Sequence, residues 1–167
     1  MVIGNPYKFS IIANVIKEWN VEGTLFHNGV LLFCIDGELF PKKVVATTLN
    51  SEIHPLKEIL TNLTVNEELF NMEKGTAFIE MYNSTFPEWD KDNDVSNDYR
   101  YYISTQTLGN FHCCVFAVSD GEQIRIMAAK LDYVIEESRH DLNNMKISET
   151  IITNSELMEI ILGLDMV

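Results

Sequence analysis

Two tight-turn signals between apolar runs constrain the fold of this chain more than any other feature. Asp36-Gly37 follows the apolar run 30–35, and Asp120-Gly121 follows the run 111–119. The Asp-Gly pair favours a type I′ turn, in which both central residues need positive φ, and such turns join antiparallel strands. The sequence therefore predicts a sheet made largely of antiparallel hairpins.

The second turn signal belongs to a predicted three-stranded meander. Residues 99–107 alternate between apolar and polar side chains, and residues 108–110 are expected to turn the chain. Strands are then predicted over residues 111–119 and 122–129.

A two-residue turn at Asp120-Gly121 would fix the register of the last two strands. It would place Ser119 opposite Glu122 and Ala117 opposite Ile124, which gives one apolar face. The other face is expected to be amphipathic. Its members are His112, Cys114, Phe116, Val118, Gln123, Arg125, Met127 and Ala129.

Helical signals flank these strands. Residues 51–63 have apolar side chains at helical spacing, with Pro55 tolerated only in the first turn. Residues 76–82 are interpreted as another strand, and residues 153–156 form a capping box before a C-terminal amphipathic helix. The predicted fold class is α+β, with a mostly antiparallel sheet of meander and hairpins and two or three packed helices. A single domain is expected over residues 1–167.

Composition limits the possible partners and compartment. Twelve basic and 25 acidic residues give a formal net charge of −13, which disfavours nucleic acid and anionic membranes and favours a basic protein. The acidity could equally serve solubility alone. Three cysteines cannot all pair in disulfides, and the chain begins without the pattern of a signal peptide. We therefore expect a cytoplasmic protein with free thiols.

Catalytic, cofactor and metal motifs receive little support. Asp90, Asp92 and Asp94 match the first ligand positions of a calcium loop, but Val95 stands where glycine is needed and Tyr101 where the bidentate glutamate is needed. The four histidines are scattered, and the chain has no nucleophile elbow and no phosphate-binding loop. We predict a protein that is not an enzyme, with no cofactor.

Two acidic segments are candidate partner-binding sites. In the first, an aromatic anchor is surrounded by carboxylates, which is typical of a hot spot against a basic protein. It comprises Trp89, Asp90, Asp92, Asp94 and Asp98. Trp89 could instead fold into the core. The second segment contains Glu136 and Glu137, and its alternative interpretation is a solvated face without a partner.

Several segments in the first third of the chain resemble immunity protein family 42 of bacterial polymorphic toxin and contact-dependent inhibition systems. These segments are Ile3-Gly4-Asn5-Pro6-Tyr7-Lys8-Phe9, Glu18-Trp19-Asn20, Asn28-Gly29-Val30, residues 35–42 and Thr48-Leu49-Asn50. The resemblance implies a cytoplasmic protein that binds a cognate toxin domain and blocks its active site or its access to substrate. Many such toxins are nucleases with basic clefts, which an acidic inhibitor would suit.

Two other functions stay open from the sequence. The chain could be a small enzyme or ligand-binding domain with a pocket on the amphipathic sheet face, lined by Tyr102, His112 and Arg125. A deep pocket in which these side chains converge would favour this hypothesis. The chain could also be a scaffold or a subunit of an oligomer, which the apolar residues on the second sheet face would allow.

Overall fold

A computed structural model describes residues 1–88 and 95–167. The strands are β1 (Val2–Gly4), β2 (Phe9–Val15), β3 (Asn28–Ile35), β4 (Glu38–Phe40), β5 (Ala46–Thr48), β6 (Cys113–Ser119), β7 (Gln123–Lys130), β8 (Asp132–Val134), β9 (Arg139–Asp141) and β10 (Ser148–Thr153). The helices are α1 (Leu49–Thr61), α2 (Glu67–Asn71), α3 (Lys74–Thr85), α4 (Gln106–Asn110) and α5 (Asn154–Leu164). The predicted α+β class is confirmed.

The first sheet has the order β1-β2-β3-β4, and β5 also pairs with β3; all of these pairs are antiparallel. The predicted turn between β3 and β4 is present. Asp36 and Gly37 take φ of 51° and 76°, as a type I′ turn requires.

The second sheet has the order β10-β7-β6 and packs against the first sheet. Alternate side chains of β2 and β3 meet one face of β6 and β7, and α1 and α5 close the cluster from the sides. Phe9, Phe33, Val115 and Ile126 lie at its centre with 1% or less of their surface exposed. This main core includes the face that the sequence predicts to be apolar.

The second face of β6 and β7 is buried as well, contrary to the prediction of an amphipathic face. Cys114, Phe116 and Met127 pack under α2 and α3 and form a second hydrophobic cluster. The Phe78 ring of α3 meets the Phe116 ring edge-on at 5.1 Å between centroids. Arg125 is 5% exposed because its guanidinium binds backbone carbonyls at the end of α2.

The predicted strand over 99–107 is mostly wrong. Only its centre runs along β6, where Ile103 N–H donates to the Val115 carbonyl at 2.9 Å and Tyr102 forms an isolated bridge to Phe116. The chain then enters α4, because the Thr105 hydroxyl caps the helix by accepting from Leu108 N–H. The third strand of the sheet is β10.

The β6–β7 register differs from the predicted one by two residues. Ser119 lies opposite Ile124, because the turn is centred on Gly121-Glu122 and not on Asp120-Gly121. The Asp120 carboxylate accepts from the N–H groups of Glu122 and Gln123 at 2.9 and 2.7 Å, which holds Asp120 at the turn entrance. A shift of two residues keeps each side chain on its predicted face.

Helices predicted from the sequence are confirmed in α1 and α5, whereas the strand predicted over residues 76–82 is wrong. The Thr153–Glu156 capping box begins α5 as predicted. Residues 76–82 lie in α3 and not in a strand, because the Glu73 carboxylate caps that helix at Thr76 N–H. Pro55 lies in the second turn of α1, since that helix begins at Leu49. Within the described residues, no helix is long and apolar enough to cross a membrane.

Candidate partner-binding site

The structure places only part of the first predicted acidic segment. Trp89, Asp90, Asp92 and Asp94 lie outside the described residues. The other member, Asp98, follows them in the chain and is described. A binding role for this segment stays a prediction.

Asp98 is tied to the end of α3. Its N–H donates to the Ser84 carbonyl at 2.9 Å, and its own carbonyl accepts from the Thr85 hydroxyl at 3.0 Å. Its carboxylate pairs with Arg100 at 2.7 Å. Burial opposes ionisation of this carboxyl, but the hydrogen bonds from Arg100 outweigh burial and lower the pKa of Asp98. Asp98 thus anchors the return of the chain to α3.

Glu136 and Glu137 lie at the exposed tip of the β8–β9 hairpin. Glu137 accepts a hydrogen bond from Arg139 at 2.8 Å. Arg139 also forms an ion pair with Glu88, just past the end of α3. Arg139 therefore joins the hairpin to the chain that leaves α3, although exposed pairs of this kind contribute little stability. Ile135 projects beside the two glutamates with 78% of its surface exposed.

A groove of about 1120 Å³ lies between the C-terminal end of α3 and the β8–β9 hairpin. One wall includes Tyr82, Phe86 and Glu88, and the other includes Tyr133 and Asp141. Three carboxylates (Glu88, Glu137 and Asp141) and one arginine line the groove, so the groove carries a net negative charge.

A histidine-tyrosine network closes the base of the groove. Tyr82 Oη lies 2.8 Å from His140 Nδ1, and His140 Nε2 lies 3.1 Å from His112 Nδ1. The Tyr133 ring stacks on His112 at 5.4 Å between centroids. Together these contacts connect α3, the hairpin and the start of β6.

Burial, with a smaller effect of His112, lowers the pKa of His140. Burial also raises the pKa of Tyr82, so its hydroxyl remains a donor. The contacts suit a series of hydrogen bonds in which Tyr82 donates to a neutral His140 and His140 donates to His112. These hydrogen bonds hold the hairpin in place against α3.

The residues proposed for a pocket on the sheet face do not converge. Arg125 donates to the carbonyls of Phe70 and Met72 at 2.9 and 2.7 Å. Tyr102 packs among aromatic rings, and burial raises its pKa to about 12. His112 belongs to the groove network. The helices α2 and α3 occupy the space where that pocket was expected.

Neither of the two acidic segments indicates from its sequence that the groove exists. Tyr82 and His140 are 58 residues apart, and the alternating pattern of residues 76–82 predicts a strand, which would not bring Tyr82 to a helix end. Recognising the helical pairs Phe78–Tyr82 and Ala77–Met81 would have placed Tyr82 on the buried side of α3. No group of three or more metal-ligating side chains occurs within residues 1–88 and 95–167.

Comparisons with known proteins add the family and the fold. A family model described as immunity protein 42 matches residues 1–166. The crystal structure of CdiI from Burkholderia dolosa AUO158 superposes with a TM-score of 0.77 at 22% identity, over 99% of each chain. A search of curated proteins finds no match.

Proposed function

Because this chain belongs to the immunity protein 42 family, it is a toxin-neutralising inhibitor and not an enzyme, and we propose that it acts by steric occlusion. In this proposal, the acidic groove and hairpin tip cover the active site of the toxin domain or its path for substrate. The toxin domain is basic, and a nuclease is the class that fits best. The complex forms in the cytoplasm of the protected cell, after contact-dependent delivery of the toxin.

The acidic border of the groove is the observation that carries this proposal. Glu88, Glu137 and Asp141 line one concave surface from two segments, the chain after α3 and the β8–β9 hairpin. Glu136 is exposed beside Glu137 at the hairpin tip. A cleft lined by one sign of charge concentrates field lines and attracts a partner of opposite charge. A nuclease must bind the phosphate groups of its substrate, so its active site carries positive charge. The acidic surface would then compete with substrate for the same basic residues.

The segment before Asp98 extends this hypothesis. Trp89, Asp90, Asp92 and Asp94 directly follow Glu88 in the sequence, and Glu88 lies on the groove. We propose that this segment adds an aromatic anchor and further carboxylates to the same interface. Asp98 contributes by closing the segment back onto α3.

Co-expression with the cognate toxin domain tests the proposal. The wild-type chain should restore growth and form a stable stoichiometric complex. The Glu136→Lys/Glu137→Lys variant should associate roughly tenfold more slowly, because it reverses charge where the partner approaches. If the wild-type chain gives no protection and forms no complex with the toxin domain, the proposal is refuted.

A matched control separates local charge from net charge. Glu58→Lys/Glu159→Lys reverses two exposed glutamates on α1 and α5, the helices that pack on the main core. Each double variant changes the formal net charge from −13 to −9, since two reversals add four units. Equal slowing by both variants would show that charge acts over the whole surface and not at the groove. Thermal unfolding of each variant checks that both remain folded.

A further inference from the structure

The loop between β2 and β3 displays an unusual set of exposed apolar side chains. Val21, Leu25 and Phe26 expose 74%, 87% and 66% of their surface, and Trp19 exposes 43%. Large apolar groups concentrated in one short loop cost free energy in water, and such patches mark interaction sites. We call residues 17–26 the apolar loop.

The backbone of the apolar loop is held by three asparagine side chains. Asn20 donates to the Ile16 and Asn28 carbonyls at 2.7 and 2.8 Å and accepts from Asn28 N–H at 2.6 Å. Asn28 donates to the Trp19 carbonyl at 3.1 Å. Asn50 donates to the Leu25 carbonyl at 2.9 Å and accepts from His27 N–H at 2.8 Å. The loop is thus ordered by its polar groups, while its apolar groups stay in solvent.

These asparagines belong to three of the segments that resemble the immunity family: Glu18-Trp19-Asn20, Asn28-Gly29-Val30 and Thr48-Leu49-Asn50. Distant parts of the sequence therefore meet at one loop. The groove does not use any of them. A preordered loop loses little conformational entropy when its side chains become buried against a partner, so it can bind tightly.

We infer that the apolar loop is a second contact with the toxin domain and inserts its side chains into an apolar depression of that protein. This inference rests on the proposed function, because it assumes that the partner is the same basic toxin domain. Charge favours this occupant over a second copy of the chain. Glu18 and Glu22 outnumber Lys17 in the loop, and two chains of net charge −13 repel each other.

The two surfaces should have separable kinetic effects. Charge around the groove governs how fast the partners meet, whereas buried apolar anchors govern how slowly they part. The variant Val21→Ser/Leu25→Ser/Phe26→Ser removes only side chains that are largely exposed, so it should fold normally. Its complex with the cognate toxin domain should dissociate on the order of 100-fold faster, with an association rate within about twofold of wild type.

A control triple variant, Met158→Gln/Leu162→Gln/Met166→Gln, removes apolar side chains in and just beyond α5 that are 50%, 61% and 76% exposed. It should dissociate like wild type. If the loop variant is poorly folded, Leu25→Ser alone provides the measurement, since that side chain is 87% exposed.

The outcomes distinguish this inference from the proposed function. Wild-type binding with an unchanged dissociation rate in the loop variant overturns the inference and leaves the proposed function standing. Failure of the wild-type chain to bind the toxin domain overturns both. A wild-type dimer in light scattering that the loop variant converts to monomer assigns the loop to a second copy, and so overturns the inference.

Discussion

Two buried charged side chains tie together segments that are far apart in the sequence. Glu52, in the first turn of α1, accepts from Thr107 N–H at 3.1 Å and from the hydroxyls of Thr107 and Thr47 at 2.8 and 3.1 Å. Arg125 of β7 binds carbonyls at the end of α2 and pairs with Glu149 of β10. Each side chain has enough partners to offset the loss of its water.

Replacing Glu52 should therefore cost stability out of proportion to its size. Glu52→Ala leaves the buried Thr107 N–H without an acceptor, and we expect the free energy of unfolding to fall by about 2–3 kcal/mol. Urea unfolding measures this loss. Glu58→Ala, at an exposed position of the same helix, should change the value by about 0.5 kcal/mol or less. Equal losses in the two variants would contradict the role assigned to Glu52.

Such residues are hard to identify from the sequence. Glu52 and Thr107 are 55 residues apart, and nothing near Glu52 indicates that it is buried. Exposed carboxylates are easier to predict, because two adjacent charges in a polar turn rarely find two buried partners. Glu136 and Glu137 are exposed at a hairpin tip, in agreement with a surface interpretation.

Elements with a complete local signal were predicted, although the β6–β7 turn lies one residue later than its Asp120-Gly121 signal. Elements defined by tertiary contacts were not predicted. The Asp36-Gly37 turn and the Thr153 capping box each contain their own stabilising groups within a few residues. Residues 76–82 are ambiguous, because Ala77, Ile79 and Met81 alternate like a strand while their helical spacing shows only over a longer window. Burial under the second sheet selects the helix.

The β8–β9 hairpin depends on tertiary contacts for its position. A two-stranded hairpin is marginally stable by itself, so its position relies on the Tyr82, His140 and His112 contacts. Because the pKa of His140 is lowered, the folded chain binds this proton less readily than the unfolded chain. The resulting stability is present above the ordinary histidine pKa of about 6.5 and is lost as pH falls through the lower folded value.

We therefore expect the free energy of unfolding to decline between about pH 7.5 and about pH 5.5, a window in which most carboxylates stay ionised. His140→Gln should reduce this pH dependence, whatever its effect on stability at neutral pH. His54→Gln, at an exposed position of α1, should leave the dependence as in wild type. Urea unfolding at each pH gives the comparison. A His140→Gln variant with the wild-type dependence would disprove the assignment.

The whole molecule carries a charge that no single element accounts for. Its formal value of −13 over 167 residues produces a field that extends beyond any one contact. The sequence predicts the net charge directly, because this requires only a count of the charged residues. The groove could not be predicted in the same way, since its walls come from α3 and from a hairpin about 50 residues later.

Association with the toxin domain should therefore depend strongly on ionic strength. We expect the association rate to fall roughly tenfold or more between about 0.05 M and about 0.5 M NaCl, as salt screens the attraction. The dissociation rate should change much less, because buried contacts are poorly screened. Stopped-flow mixing measures both rates. A rate of association that is insensitive to salt would exclude electrostatic steering by this acidic protein.

Strands β6 and β7 are covered on both faces, so their side chains are shielded from the protein surface. Under the proposed function, recognition falls to peripheral segments, namely the hairpin tip and the loop after β2. Substitutions in these segments can follow an evolving toxin without disturbing the interior, and interior residues can drift without altering recognition. Two chains can thus keep one architecture at 22% identity while their peripheral segments diverge.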